Sequence, residues 1–132
     1  MRSDVFTSRE NYWLDGSGCH LKDITDSFLI KSSGTTSSPK WIVYNKENFL
    51  AAAKSANLFL QMSKSDIWLS VLPKEHVAGF SVLARAHVGG YKAVLKKIKW
   101  SPEKFKELLL ENRATAASLV PTQVFDLSLI HI

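Results

Sequence analysis

Cysteine is almost absent: Cys19 is the only one in 132 residues. No disulfide can form within the chain, and nothing points to an oxidising compartment. Long apolar runs are missing too. None approaches the roughly 20 residues that a membrane-spanning helix needs. The start, MRSDVFTSRE, has no apolar stretch of the secretory kind. These absences predict a cytoplasmic setting without membrane insertion. No repeat and no long low-complexity tract is present. His20, His87 and His131 lack metal-ligand spacing and have no partnered Cys/His motif, which argues against a zinc site. Cys19 has no paired base and reads as inert.

What is present fits one soluble globular unit. The length lies within the usual range for a domain, and 45% hydrophobic residues suffice for a core. The net charge of +5 suits an anionic ligand, and equally a solvated surface.

Residues 1–27 read as a polar, irregular segment, with DGSG at 15–18 as a turn. Phe28 to Lys31 reads as a strand, and Trp41 to Tyr44 as a second. Asn45 caps a helix from Lys46, in which Phe49, Ala53, Ala56 and Leu60 form one apolar face. DIWLSVLP at 66–73 is apolar on both faces, as a buried strand is, and Pro73 stops it. HVAGFSVLARAHVGG at 76–90 reads as a helix ended by Gly89 and Gly90. YKAVLKK at 91–97 reads as a strand. Ser101 and Pro102 open a further helix through Phe105, Leu108, Leu109 and Asn112. ATAASLVP at 114–121 is a last strand with a proline stop. Strands alternating with helices predict an α/β fold, a layered and largely parallel sheet with flanking helices.

Between the first two strands lies SSGTTSSPK, residues 32–40. Gly34 permits backbone angles closed to other residues, so successive N–H groups can converge on an anion. Ser32, Ser33, Thr35, Thr36, Ser37 and Ser38 add hydroxyls, Pro39 stiffens the exit, and Lys40 adds a point charge with three donors. Together these suit a polyphosphate, whose oxygens need several donors at once. The loop is not a Walker A sequence, since Lys40 follows Pro39 and precedes Trp41. Nor is it a dinucleotide fingerprint, since Gly34 stands alone. The same composition also suits a plain solvated linker.

The stretch LIKSSGTTSSPK resembles the phosphate-binding signature of the adenylate-forming enzymes, the acyl-CoA synthetases, luciferases and peptide-synthetase adenylation domains. Ser32, Ser33, Gly34, Thr35, Thr36, Pro39 and Lys40 match it; Ser37 stands where glycine is more usual. WLSVLPKEHVAGF at 68–80 resembles the family's Leu-Pro-x-x-His-x-x-Gly segment through Leu72, Pro73, His76 and Gly79. SLVPTQ at 118–123 resembles the strand and loop that follow. Within the family the pattern is most similar to the o-succinylbenzoate–CoA ligases of menaquinone synthesis. The resemblance spans residues 28–126, read as a partial AMP-binding domain of a larger enzyme.

The resemblance implies ATP, Mg²⁺ and coenzyme A, with a small-molecule carboxylic acid as substrate. It implies nucleotide binding by Ser32, Ser33, Gly34, Thr35, Thr36, Ser37 and Lys40, and acyl-substrate binding by His76. As a residue alone, His76 reads first as a helix-start residue satisfied locally, and its place in LPKEHVAG brings the acyl-substrate reading level with that one. Arg85 reads as a solvated helix position, with a substrate carboxylate as its alternative partner. Glu75 beside His76 reads as part of a solvated turn. LKKIKW at 95–100 reads as a solvated edge, not as a nucleic-acid site. The family's adenine, ribose and C-terminal lysine segments are missing, so the chain by itself is expected to be inactive. LSLIHI at 127–132 matches nothing in the family and reads as a non-native tail. Two other readings stay open: a phosphate-binding module without turnover, and a basic interaction domain. Oligomeric state is not legible.

Overall fold

The computed structural model describes residues 4–16, 24–32 and 40–129. The elements run in chain order α1 (Asp4–Thr7), β1 (Tyr12–Trp13), β2 (Ser27–Lys31), β3 (Trp41–Asn45), α2 (Lys46–Phe59), β4 (Ile67–Ser70), α3 (Val77–Gly89), β5 (Lys92–Leu95), α4 (Pro102–Asn112), β6 (Ala116–Ser118) and α5 (Pro121–Leu129).

Two three-stranded sheets result, β1-β2-β3 and β5-β4-β6. The second is wholly parallel, as the alternation of strands and helices predicts. The first is mixed: β1 and β2 are parallel, whereas β2 and β3 pair antiparallel from Ser27↔Asn45 to Lys31↔Trp41. The physical reason is connection length. A parallel crossover needs about a dozen residues or more, and the link from Lys31 to Trp41 is shorter.

Strand β4 is central and buried on both faces. Trp68 packs with Val82 and Ala86 of α3, and Leu69 with Val94 and Phe105 on the α4 side. Successive side chains of a strand point to opposite faces, so α3 and α4 cover opposite sides of this sheet. Helix α4 begins as its sequence predicts: the Ser101 hydroxyl accepts from the Lys104 N–H, and Pro102 takes the first helical position. Gly90 closes α3 with φ of 69°, a left-handed cap that glycine adopts without a Cβ clash.

A second core lies between the first sheet and the helix pair α2 and α3. It joins Phe6, Phe28, Ile30, Ala53, Phe80 and Ala84. The Phe80 ring stands 4.9 Å from Phe28, 5.5 Å from Phe49 and 5.6 Å from Phe6. The N-terminal segment, read as polar and irregular, therefore contributes to the core. Phe6 is one apolar residue in a polar stretch, so no periodicity betrays it. Lys46 fastens the same segment: its Nζ donates to the carbonyls of Ser8 (2.8 Å) and Glu10. Lys46 is 2% exposed. Burial lowers its pKa, and the charges of Asp26 and Glu10 oppose that shift.

Helix α2 departs from its predicted stripe. Asn45 caps it, its Oδ1 accepting from the Asn48 N–H at 3.1 Å. Ala53 is buried and Phe49 packs against the core, but Leu60 is exposed and lies just past the helix. Asn57 is buried instead. It accepts from the Tyr91 hydroxyl (2.9 Å) and donates to the Arg85 carbonyl (2.8 Å). A polar side chain is stable there because both its groups find partners. Pro121, read as a strand stop, is also the first residue of α5. That helix runs through Leu129; Leu127 packs beside Leu69 and Phe105, and Trp100 Nε1 donates to Asp126 at 2.7 Å.

Two outcomes follow from this packing. A Cβ on Gly79 would lie 2.2 Å from the Pro73 carbonyl oxygen. Gly79→Ala therefore loses stability, on the order of 1–3 kcal/mol, because backbone cannot rotate aside. This outweighs the helix-propensity gain of about 1 kcal/mol. Urea denaturation reads it as a lower midpoint at unchanged slope; a wild-type midpoint refutes the contact. The Tyr91 hydroxyl is pushed up to about 12, chiefly by burial, with Asp66 adding and Arg85 opposing. Its folded value exceeds the model-compound value of 10.0. Its contribution to stability is thus whole below pH 10 and is lost as pH climbs towards 12. An ultraviolet tyrosinate titration of the native protein should show a late step that Tyr91→Phe removes. A titration that Tyr91→Phe leaves without loss of such a step overturns the assignment.

Candidate functional site

The hydroxyl-rich stretch of the sequence joins the paired strands β2 and β3. Phe28, Leu29 and Ile30 of β2 are buried, and each is paired with β3. One rung beyond the last paired residues, Ser32 and Lys40 face each other. The Ser32 N–H donates to the Lys40 carbonyl at 2.8 Å. The Lys40 N–H donates to the Ser32 hydroxyl at 3.1 Å. The two ends of the loop are thereby clamped. Residues 33–39, which include Ser33, Gly34, Thr35, Thr36 and Ser37, lie outside the described residues.

Two lysines flank the clamp, and their charges differ in availability. Lys31 is committed: it pairs with Asp15 at 2.7 Å and lies 4.7 Å over the Trp41 ring. Trp13 meets Trp41 edge-on at 4.5 Å, which braces that aromatic platform. Lys40 is exposed and enters no ion pair among the described residues. The cation at the loop exit is therefore free to meet an anion. Among the described residues no group of His, Cys, Asp or Glu is arranged to hold a metal ion.

His76 is the N-cap of α3, in extended backbone (φ −101°, ψ 153°). Its N–H donates to the Pro73 carbonyl at 3.1 Å, and its carbonyl accepts from the Phe80 N–H at 2.9 Å. The backbone is satisfied locally, while the imidazole makes no capping bond and is exposed. Gly79 lies so close to Pro73 that only glycine fits, which fixes the turn presenting His76. Among the described residues no hydrogen bond or ion pair links His76 to Ser32, Lys40 or Glu75. The structure thus brings Ser32 and Lys40 together and places His76 on a separate element.

Arg85 corrects the sequence reading. It is half-buried, with its guanidinium 5.1 Å over the Trp68 ring, and does not lie on a solvated face. An arginine stacks on an indole because the ring face carries negative quadrupole charge. Trp68 is held in turn, its Nε1 donating to the Ser118 hydroxyl at 2.9 Å. The guanidinium enters no ion pair among the described residues. Sequence reasoning missed this Arg85–Trp68–Ser118 arrangement. Its one visible signal is a tryptophan in a buried strand, since a buried indole N–H needs an acceptor.

The family described as AMP-binding enzyme matches residues 22–129. The 2-succinylbenzoate–CoA ligase of Staphylococcus epidermidis is 31% identical over 115 residues, covering 87% of this chain and 24% of that protein. The enzyme of the same name from Listeria monocytogenes serovar 1/2a is 29% identical over 103 residues, covering 78% of this chain and 22% of that protein. Among solved structures, the O-succinylbenzoate coenzyme A synthetase of Bacillus subtilis in complex with ATP and magnesium ion superposes with a TM-score of 0.68. It shares 30% identity over 79% of this chain and 21% of its own. MbtA of Mycobacterium smegmatis superposes at 0.70 with 25% identity, covering 78% of this chain and 20% of its own. The chain thus spans between a fifth and a quarter of the length of these relatives. On a match that takes in both the clamped hairpin and the His76 turn, the chain belongs to the AMP-binding enzyme family.

Proposed function

We propose that this chain carries the triphosphate-holding part of an ATP-dependent acid–CoA ligase. The substrate class is an aromatic dicarboxylate of the 2-succinylbenzoate kind, and the setting is cytoplasmic. In that reaction a substrate carboxylate attacks the α-phosphorus of ATP, forming an acyl-adenylate and releasing pyrophosphate. The thiol of coenzyme A then attacks the acyl carbon and AMP leaves. Negative charge builds on phosphoryl oxygens in the first step, so positioned donors and cations are the main catalytic tools.

One observation carries the reading: the Ser32–Lys40 clamp closes a hydroxyl-rich loop and leaves the Lys40 ammonium exposed and unpaired among the described residues. A loop with fixed ends needs less ordering when an anion arrives. Ser32 braces the loop, and Ser33, Gly34, Thr35, Thr36 and Ser37 supply hydroxyl and amide donors. Lys40 neutralises the outer oxygens and steadies the leaving pyrophosphate. The loop offers no carboxylate, so these residues suit a metal carried by the phosphates and not one held by protein ligands. When bound there, Mg²⁺ neutralises phosphate oxygens.

The acid requires different contacts. A dicarboxylate keeps one carboxylate after the other is activated, and that group needs a cation in a partly dry site. Arg85 fits this need, because its guanidinium is half-buried on Trp68 without an ion-pair partner among the described residues. His76, exposed at the start of the same helix, is the acyl-side residue nearest the reacting carboxylate in this reading.

Both assignments are tested in the complete ligase carrying this segment. With ATP below saturation, Lys40→Ala should lower kcat/KM for pyrophosphate release about tenfold to a hundredfold; a parental rate removes the loop from the mechanism. Arg85→Met preserves packing on Trp68 but removes the charge. It should raise the KM for the dicarboxylate about tenfold, the effect of losing roughly 1.4 kcal/mol of binding, while the KM for ATP stays put. An unchanged KM for the acid assigns Arg85 to packing alone.

A further inference from the structure

Three consecutive large apolar side chains stand in solvent where α2 ends. Leu58 is 71% exposed, Phe59 86% and Leu60 48%. None of the chemistry above uses them, and a contiguous exposed apolar patch marks an interaction surface. The backbone fixes their display. The Met62 N–H donates to the Asn57 carbonyl at 3.0 Å and the Gln61 N–H to the Leu58 carbonyl at 3.2 Å, the two bonds of a Schellman stop. Gln61 takes the left-handed conformation this stop requires, with φ of 54°. Met62 then turns inward and packs against the core of Trp68 and Val82, which leaves the three side chains before it outside. Asn57, bonded to the Arg85 carbonyl and the Tyr91 hydroxyl, anchors the helix end. The Cβ position of Gly89 lies 2.8 Å from Asn57 Nδ2, so α2 and α3 end side by side. The result is a rigid apolar prong.

The free charges around it have one sign. Lys54 lies one helical turn before Leu58. The stem of Lys64 passes the end of α3, with its Cε 3.7 Å from the Cβ position of Gly90. Lys92 opens β5 opposite Ile67, at the same end of the sheet. All three lysines are exposed and enter no ion pair among the described residues. The acids nearest in sequence are Asp66 and Glu47. Asp66 already accepts from the Ser63 N–H, the Ser63 hydroxyl and the Thr115 hydroxyl. Glu47 lies in the first turn of α2, at its far end. His76 stands at the opposite end of α3, roughly 20 Å away along the helix at about 1.5 Å per residue.

We propose that this end of the molecule docks on an anionic lipid surface. Leu58, Phe59 and Leu60 enter the headgroup boundary, and Lys54, Lys64 and Lys92 meet lipid phosphates. The contact lies on the membrane and does not cross it; no helix among the described residues is long and apolar enough to span one. Interfacial apolar groups sink about 5–10 Å, a depth that one turn of helix supplies. Fluid acyl chains close around a projecting prong, so no matching pocket is needed. A second copy of the chain fits less well, because a two-fold axis through the prongs sets the same lysines against one another. Lipid phosphate supplies the opposite charge that the neighbourhood lacks.

The test sediments the complete protein carrying this segment with vesicles of phosphatidylcholine, or of phosphatidylcholine and phosphatidylglycerol in equal parts. The mixed vesicles should bind it at least about tenfold more tightly, an advantage that screening removes between about 50 mM and about 500 mM salt. Leu58→Ser combined with Phe59→Ser should lower partitioning onto mixed vesicles about tenfold. Lys54→Gln combined with Lys64→Gln should lower it about tenfold as well, while binding to phosphatidylcholine alone stays as it was. All four positions are exposed, so folding is retained, which an unchanged melting temperature checks; Phe59→Ser alone supplies a milder variant. The proposal falls if mixed vesicles do not carry the protein down, if phosphatidylcholine alone does so equally, or if the serine variants bind undiminished. It falls too if the parental protein self-associates without vesicles and the serine variants disperse it, which gives the prong to a second copy.

Discussion

Helix α3 is apolar on two faces, and the rest of the structure depends on that property. Phe80 and Ala84 belong to the core shared with β2 and α2, while Val82 and Ala86 belong to the core shared with Trp68 and Tyr91. One helix therefore holds the hairpin sheet and the parallel sheet in a set relation. Hydrophobic burial supplies this attachment without regard to direction. The interlocking rings around Phe80 add the directional preference of aromatic edges for faces. The same helix begins at His76 and carries Arg85, so the geometry of the acyl-side candidates follows from core packing.

The interior polar groups divide sharply from those at the proposed sites. Lys46, Asn57, Trp68 and Tyr91 are buried, and each donates to or accepts from a named partner. Among the described residues no buried side-chain polar atom lacks a hydrogen bond. Burying such a group without a partner would cost several kcal/mol, up to ~7 by the least forgiving reference. Lys40, Lys54 and Lys64, by contrast, are exposed and unpaired among the described residues. Structural charges here are spent internally, and charges that face outward are left available to anions.

Legibility followed the range of the interaction. The Asn45 and Ser101 caps, the Gly90 terminator and the antiphase burial of Trp68 and Leu69 depend on neighbours a few residues away or on strand alternation, and all could be read. The contribution of Phe6 to the core could not, because a lone aromatic in MRSDVFTSRE carries no period. The buried place of Asn57 could not, because its partners, Arg85 and Tyr91, lie 28 and 34 residues away. From sequence Arg85 reads as solvated for the same reason: the indole beneath it belongs to a different element. Spacing alone puts Leu60 on the apolar face, and spacing does not reveal that the helix stops at Phe59.

The sequence by itself determined the chemistry on offer at residues 32–40 and the order of strands and helices from β2 to β6, because composition and local backbone preference act without knowledge of the fold. Tertiary structure decided which charges are free. Asp15 takes Lys31, the carbonyls of Ser8 and Glu10 take Lys46, and the hairpin clamp leaves Lys40 facing outward. A charge becomes available or committed only through what packs beside it, and those neighbours are brought together by burial across long stretches of chain.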